Sequence, residues 1–143
     1  MNIVYKKADQ SDKKEIFNMF CEMVASYENL EKRNFNAIKN FELEKLDSLI
    51  EEYDCFYFNN EKVGYVLFSE DGNKMEIDDF YILPKFRNLG IGSEVLKHLI
   101  SKTEKSIFLY TFIKNIGAIR FYQKFGFKLK EKVDETRVIL ERE

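Results

Sequence analysis

The sequence contains no tryptophan, a single proline, a single histidine and only two cysteines. Cys21 and Cys55 lie too far apart for a zinc or redox pair, and two thiols cannot form a disulfide framework. Cys21 shares a helical face with Phe17 and Val24, which points to a small buried thiol. One histidine, His98, leaves no Cys/His cluster to hold a metal. It also falls on the polar side of its helix with Glu94 and Lys102, which argues for a surface position over a catalytic triad. One proline and six glycines exclude collagen-like and low-complexity chains. No run approaches the roughly 18 apolar residues that a membrane span requires, and MNIVYKKADQ has no apolar leader core. These absences favour a cytoplasmic setting.

What is present is aromatic and charged. Fourteen phenylalanines and eight tyrosines, within 45% hydrophobic residues, exclude a disordered chain. A chain of 143 residues is expected to bury nearly 70% of its unfolded surface, enough for one domain with its own core over residues 1–143. The net charge of −2 hides an asymmetry. Residues 1–71 carry 9 Lys+Arg against 15 Asp+Glu, and residues 72–143 carry 14 against 10. That split suits an anionic cofactor in the second half and a cationic substrate in the first. No basic stripe with interleaved aromatics is present, so nucleic acid is not an expected partner.

Patterning gives the element order. Residues 2–6 alternate as a strand. Asp12 and Glu15 form a capping-box pattern ahead of a helix carrying Ile16, Phe17, Met19, Phe20, Met23, Val24 and Tyr27. Asn36 is placed as the cap of a second helix running to Tyr53, with Ile38, Phe41, Leu46, Leu49 and Ile50 turned inward. Residues 55–58 and 63–69 read as a hairpin about NNEK, and 75–83 as a third strand. A helix begins near Gly90–Gly92, followed by the apolar strand 106–113, a short helix over 116–125 with Gly126 at its C′ position, and two closing strands. The result is an α+β, mixed α/β layer with one parallel pair around the 90–103 helix.

The chemistry concentrates in IDDFYILPKFRNLGIGSEVLKHLI (77–100). A strand runs into a glycine-spaced loop at a helix start, where free N–H groups and the positive dipole end suit a diphosphate. Arg87 adds a cation there. There is no G-x-x-x-x-G-K-[ST] and no third glycine of a dinucleotide fingerprint, which sets aside both of those phosphate binders.

Some 25 residues on comes NIGAIRFYQKFGF (115–127). Arg87, Gly90 and Gly92 match an [QR]-x-x-G-x-[GA] acyl-CoA motif. Asn115, Ala118, Phe121, Tyr122, Gly126 and Phe127 match N-x-x-A-x-x-F-Y-x-x-x-G-F. Together the two segments resemble the GNAT superfamily of N-acetyltransferases, well over 75–127 and by element order over the whole chain. The resemblance implies a mostly antiparallel sheet of six to seven strands with one parallel pair and about four helices. It implies acetyl-CoA as co-substrate, and no metal. The backbone of Phe80, Tyr81 and Ile82 would pair with the pantetheine arm. Arg87, Asn88, Leu89, Gly90, Ile91, Gly92 and Ser93 would hold the pyrophosphate, Asn115 would contact pantetheine, and Tyr122 would protonate the leaving thiolate.

An amine acceptor also needs a base. The strand 106–113 offers no carboxylate, which leaves Glu76, Asp78 and Asp79. On unbroken alternation Glu76 and Asp78 share a face with Phe80 and Ile82, with Asp79 opposite. Asp78 is chosen because it lines up with an acidic residue common in small-molecule acetyltransferases. The implied activity is acetyl transfer by direct attack from a primary amine of a small cationic metabolite or antibiotic. Loop 28–36 and the second helix, with Tyr27, Phe35 and Tyr53 nearby, would wall the acceptor site. The alternatives are an acyl-CoA-binding regulatory module without catalysis and an acetyltransferase for protein N-termini or lysines. The final strands offer an edge for a homodimer.

Overall fold

The computed structural model describes residues 1–143. Seven strands form one sheet: β1 (Ile3–Lys7), β2 (Asp54–Phe58), β3 (Glu61–Asp71), β4 (Lys74–Ile82), β5 (Ile107–Phe112), β6 (Lys128–Lys132) and β7 (Arg137–Arg142), in the order β1-β2-β3-β4-β5-β7-β6. Four helices, α1 (Lys13–Tyr27), α2 (Phe35–Leu49), α3 (Ile91–Ser101) and α4 (Ile116–Gln123), cover its two faces. No helix is long and apolar enough to cross a membrane.

Periodicity explains the layers. Val95, Leu96 and Leu99 of α3 are all but fully buried and pack with Phe56, Ile77, Ile107 and Leu140 of the sheet. On the other face Ile16 and Met19 of α1 and Leu46 of α2 pack on Tyr53, Tyr65 and Leu67. All strand pairs are antiparallel except β4 and β5, whose only ladder partners are Met75 with Ile107 and Glu76 with Phe108. Beyond Glu76 the two strands part. Both cavities described below open along that divergence.

Local chemistry moved several expected boundaries. The capping box lies at Asp9, which accepts from Ser11 N, with Asp12 accepting from Asp9 N, around a short 3-10 turn at 10–12. Asp12 is buried, and its carboxylate takes Lys62 Nζ and the Tyr65 hydroxyl. Asn34, not Asn36, caps α2 by accepting from Ala37 N at 3.1 Å. In α2 Phe41 is 71% exposed and Glu42 only 1%, the reverse of the apolar-inward expectation. Cys21 is half-buried, and His98 stacks on Tyr5 with ring centroids 4.2 Å apart.

Candidate active site

The loop between β4 and α3 is built around two left-handed residues, Asn88 (φ 62°) and Gly90 (φ 83°). Glycine adopts that region without a Cβ penalty, and such turns form anion-binding nests. Gly90 is the N-cap of α3 and supplies no side-chain cap. The first intrahelical bond runs from Glu94 N to Gly90 O, so the N–H groups of Ile91, Gly92 and Ser93 have no partner within the helix. They face a cavity of about 780 Å³. Uncapped N–H groups at the positive end of an eleven-residue helix suit an anionic diphosphate.

Phe80, Tyr81, Ile82, Arg87, Asn88, Gly90, Ile91, Gly92, Ser93, Asn115 and Tyr122 all line this one cavity. Leu89 does not; it is 55% exposed. Arg87 Nε donates to Ile82 O at 3.0 Å, which ties the loop back to β4. Asn115 Oδ1 accepts from Ala118 N at 3.2 Å as the cap of α4. Tyr122 is buried in the α3 and α4 side of the core, and burial pushes its phenol well above the usual tyrosine range. Its hydroxyl therefore stays protonated through neutral pH. Met19, Met23 and Tyr27 of α1 close the other side of the cavity. Tyr27, expected at the acceptor, lies here and stacks on Phe112. Arg120 and Lys124 are exposed and are not among the residues that line the cavity.

A second cleft of about 700 Å³ opens on the α1 and α2 face and shares Met23 with the first. Arg33 of the 28–36 loop and Ala37, Ile38, Phe41, Glu42 and Lys45 of α2 line it, opposite Glu76, Ile77, Asp78 and Asp79 of β4. Phe35 and Tyr53 are not part of its wall; Tyr53 is fully buried and donates to Asp79 Oδ2 at 2.5 Å.

A bulge in β4 decides which carboxylates reach this cleft. Val66 pairs with Phe80 and Phe68 with Ile77, so β4 spends one more residue than β3 across Asp78–Asp79. The extra residue breaks the alternation. Ile77 joins Phe80 and Ile82 on the α3 side, while Asp78 and Asp79 both turn to Lys45 on α2, at 3.2 and 3.0 Å. The expectation that Asp78 shares a face with Phe80 and opposes Asp79 is thereby corrected.

Electrostatics separate the acids. Burial and, next, the Asp78 charge push Glu76 up to about 7, and it makes no ion pair. Burial raises Asp78 while Lys45 pulls it back down. Burial works against the Lys45 charge, but Asp79, Asp78 and Glu42 together hold its pKa above the ordinary lysine value. Glu42, 2.9 Å from Lys45 Nζ, is raised by burial first and by Asp79 second. Nothing in the sequence marked Glu42, because a glutamate at a core-facing helix position looks like an interruption of the apolar stripe. No group of three or more acidic, histidine or cysteine side chains is arranged to hold a metal ion.

A model of the acetyltransferase (GNAT) family matches residues 16–127. The chain is 38% identical over 84 residues to N-alpha-acetyltransferase 50 of Danio rerio, covering 52% of this chain and 50% of that protein. It is 32% identical over 91 residues to spermine/spermidine N(1)-acetyltransferase of Bacillus subtilis, covering 54% and 60%. The matches thus span between half and three fifths of those relatives' lengths. Among solved structures, PaiA N-acetyltransferase from Thermoplasma acidophilum in complex with coenzyme A gives a TM-score of 0.66 at 19% identity, over 100% of this chain and 99% of that one. Arabidopsis thaliana Naa50 with the bisubstrate analogue CoA-Ac-MVNAL gives 0.62 at 17%, over 100% and 99%. At those identities the structural likeness speaks to the fold alone.

Proposed function

The chain belongs to the acetyltransferase (GNAT) family, and from that premise we propose that it moves an acetyl group from acetyl-CoA to a primary amine of a small cationic metabolite by direct attack in a ternary complex. The observation that carries this reading is the pairing of two cavities across the β4–β5 divergence. One has an uncapped helix N-terminus suited to a diphosphate; the other has a carboxylate wall suited to an amine. The two relatives named above bear names from different acceptor classes, one a protein N-terminus and one a polyamine. The acidic balance of the β4 and α2 wall supports the small cation.

The residues divide the chemistry between them. An alkyl ammonium has a pKa near ~10.4, so freeing its lone pair at pH 7.4 costs about 4 kcal/mol. Glu76 accepts that proton, directly or through water. It is the β4 carboxylate of the cleft without an ion pair, and it sits near neutrality where a base works best. Asp78, favoured from sequence, is tied to Lys45 and instead attracts the ammonium. A backbone N–H of the 77–82 segment, freed by the divergence from β5, stabilises the oxyanion as nitrogen adds to the thioester carbonyl. Tyr122 donates its proton to sulfur as the C–S bond breaks. Ile91, Gly92 and Ser93 hold the pyrophosphate, and Asn115 the pantetheine. The two free thiols fit a cytoplasmic setting.

Calorimetric titration with acetyl-CoA tests the donor half. One-site binding is expected, and it should vanish in Gly90→Glu, which places a strained, negatively charged side chain at the cradle. A folded protein that does not bind acetyl-CoA overturns the reading. Binding without acetylation of any amine would favour a regulatory module.

A further inference from the structure

Glu42 is the one buried polar side chain whose bonding is incomplete. Its Oε1 meets Lys45 Nζ at 2.9 Å; while Glu42 keeps a proton its carboxyl shares it with Asp79, and once Glu42 is ionised Oε2, shielded from solvent, has no hydrogen-bond partner. A buried carboxylate oxygen left unsatisfied is costly. Glu42 is among the residues that line the acceptor cleft.

We propose that Glu42, together with Asp78, seats a second ammonium group, so that the acceptor is a linear diamine or polyamine held by one amine while the other is acetylated. This rests on the acetyl-transfer reading above and names the substrate class for the same cleft.

Charge arithmetic within the cleft supports it. Lys45 is the only cation in contact with Glu42, Asp78 and Asp79; Glu28 and Glu76 bring the carboxyls of the wall to five, against Lys45 and two arginines, Arg33 and Arg137, that are both paired with Asp134. The tyrosines packed on the cluster supply only hydroxyls: Tyr53 and Tyr81 both donate to Asp79. Without substrate, the excess negative charge is relieved by keeping a proton on Glu42, whose burial and Asp79 neighbour raise its proton affinity. An arriving ammonium supplies the missing charge and donates to Oε2, and the Glu42 proton leaves to solvent. Phe20, Val24, Ile38 and Phe112 line the same cleft and offer apolar surface to a methylene chain. A peptide N-terminus carries one ammonium and then amide groups, which this lining does not satisfy.

The test compares 1,4-diaminobutane with n-butylamine, equal in carbon count, at saturating acetyl-CoA and pH 8. The wild type should prefer the diamine in kcat/KM by at least about tenfold, the scale of one charge-assisted hydrogen bond. Glu42→Gln should cut that ratio about tenfold, mainly through KM, and Asp78→Asn, at a more exposed position, should cut it in the same direction. Calorimetry in buffers of differing ionisation enthalpy should show proton release on diamine binding that Glu42→Gln abolishes, a readout that a purely structural Glu42 would not move. Acetyl-CoA affinity serves as the check that each variant is folded. Equal use of the two amines, or a ratio unchanged in both variants, overturns the diamine assignment and leaves acetyl transfer standing. Acetylation of neither amine, by protein that binds acetyl-CoA, overturns both.

Discussion

Glu76 and Asp78 stand two residues apart on one strand, yet only Asp78 is answered by a lysine. That difference sets their roles. With Glu76 pushed up to about 7 by burial and by Asp78, it is largely protonated at pH 6 and ionised at pH 8. Only the ionised form can take a proton from the acceptor. In the acceptor complex kcat should therefore climb with pH through an apparent pKa near 7. Glu76→Gln should lose that acidic limb and about a hundredfold in kcat, the usual contribution of a general base. Tyr122→Phe should keep the limb, because the phenol's raised pKa places its own titration far above this range, and should lower kcat without weakening acetyl-CoA binding. Steady-state rates from pH 6 to 9 with both substrates saturating check this. A limb that survives in Glu76→Gln would pass the base role to another group.

Among the elements, β3 depends on a glycine that no motif announced. A Cβ on Gly64 would lie 2.2 Å from Tyr81 O and 2.5 Å from the Phe56 ring. Neither can yield easily: one is ladder backbone at the edge of the donor cavity, and the other is a fully buried core ring. Gly64→Ala should cost about 3 kcal/mol, the upper range for overpacking. Gly117→Ala, on the open side of α4 with nothing within 4 Å of its Cβ, should be neutral or gain up to about 1 kcal/mol from helix propensity. Urea unfolding of the two variants separates them. The contrast bears on what could be read from sequence. The strands and helices were legible because apolar periods of 2 and 3.6 persist through them, and the loop at Gly90 was legible because two motifs in register marked it. The β4 bulge was not, since IDDFY alternates plausibly without one. Only the pairing of Phe68 with Ile77 reveals the extra residue that turns Asp78 toward Lys45. Three asparagines in NFNAIKN offered several caps, and the choice of Asn34 depends on which oxygen reaches Ala37 N. Glu42 was hidden because the lysine that answers it, Lys45, reads as an ordinary surface i,i+3 partner, and only the fold shows that Asp78 and Asp79, more than 30 positions on, draw that lysine inward.

At the scale of the molecule, the sheet is two antiparallel blocks joined at one seam. β1 to β4 form one block and β5 to β7 the other, and only two ladder pairs connect them. Ion pairs reinforce the join: Lys74 with Glu141 at 2.9 Å beside the ladder, and Arg33 with Asp134 at 2.6 Å between the α1–α2 loop and the β6–β7 turn. The donor cavity draws Tyr81 and Ile82 from one block and Asn115 and Tyr122 from beyond β5 on the other side. A ligand filling it supplies the contacts that the diverging strands give up. Acetyl-CoA at a hundred times its Kd should stabilise the fold by about 2.7 kcal/mol, or about 8 °C in Tm for a chain of this size. More diagnostically, amide exchange should slow on both sides of the seam together, at 80–82 and at 115–118. The first stretch gains a backbone partner where β5 has turned away, and the second is fixed by the ligand's other edge. Protection confined to the Gly90 loop would mean that the pyrophosphate is held while the acyl arm is not threaded between the blocks. In that case the oxyanion contact from the 77–82 segment, and the in-line approach of amine to thioester, would lose their geometric basis.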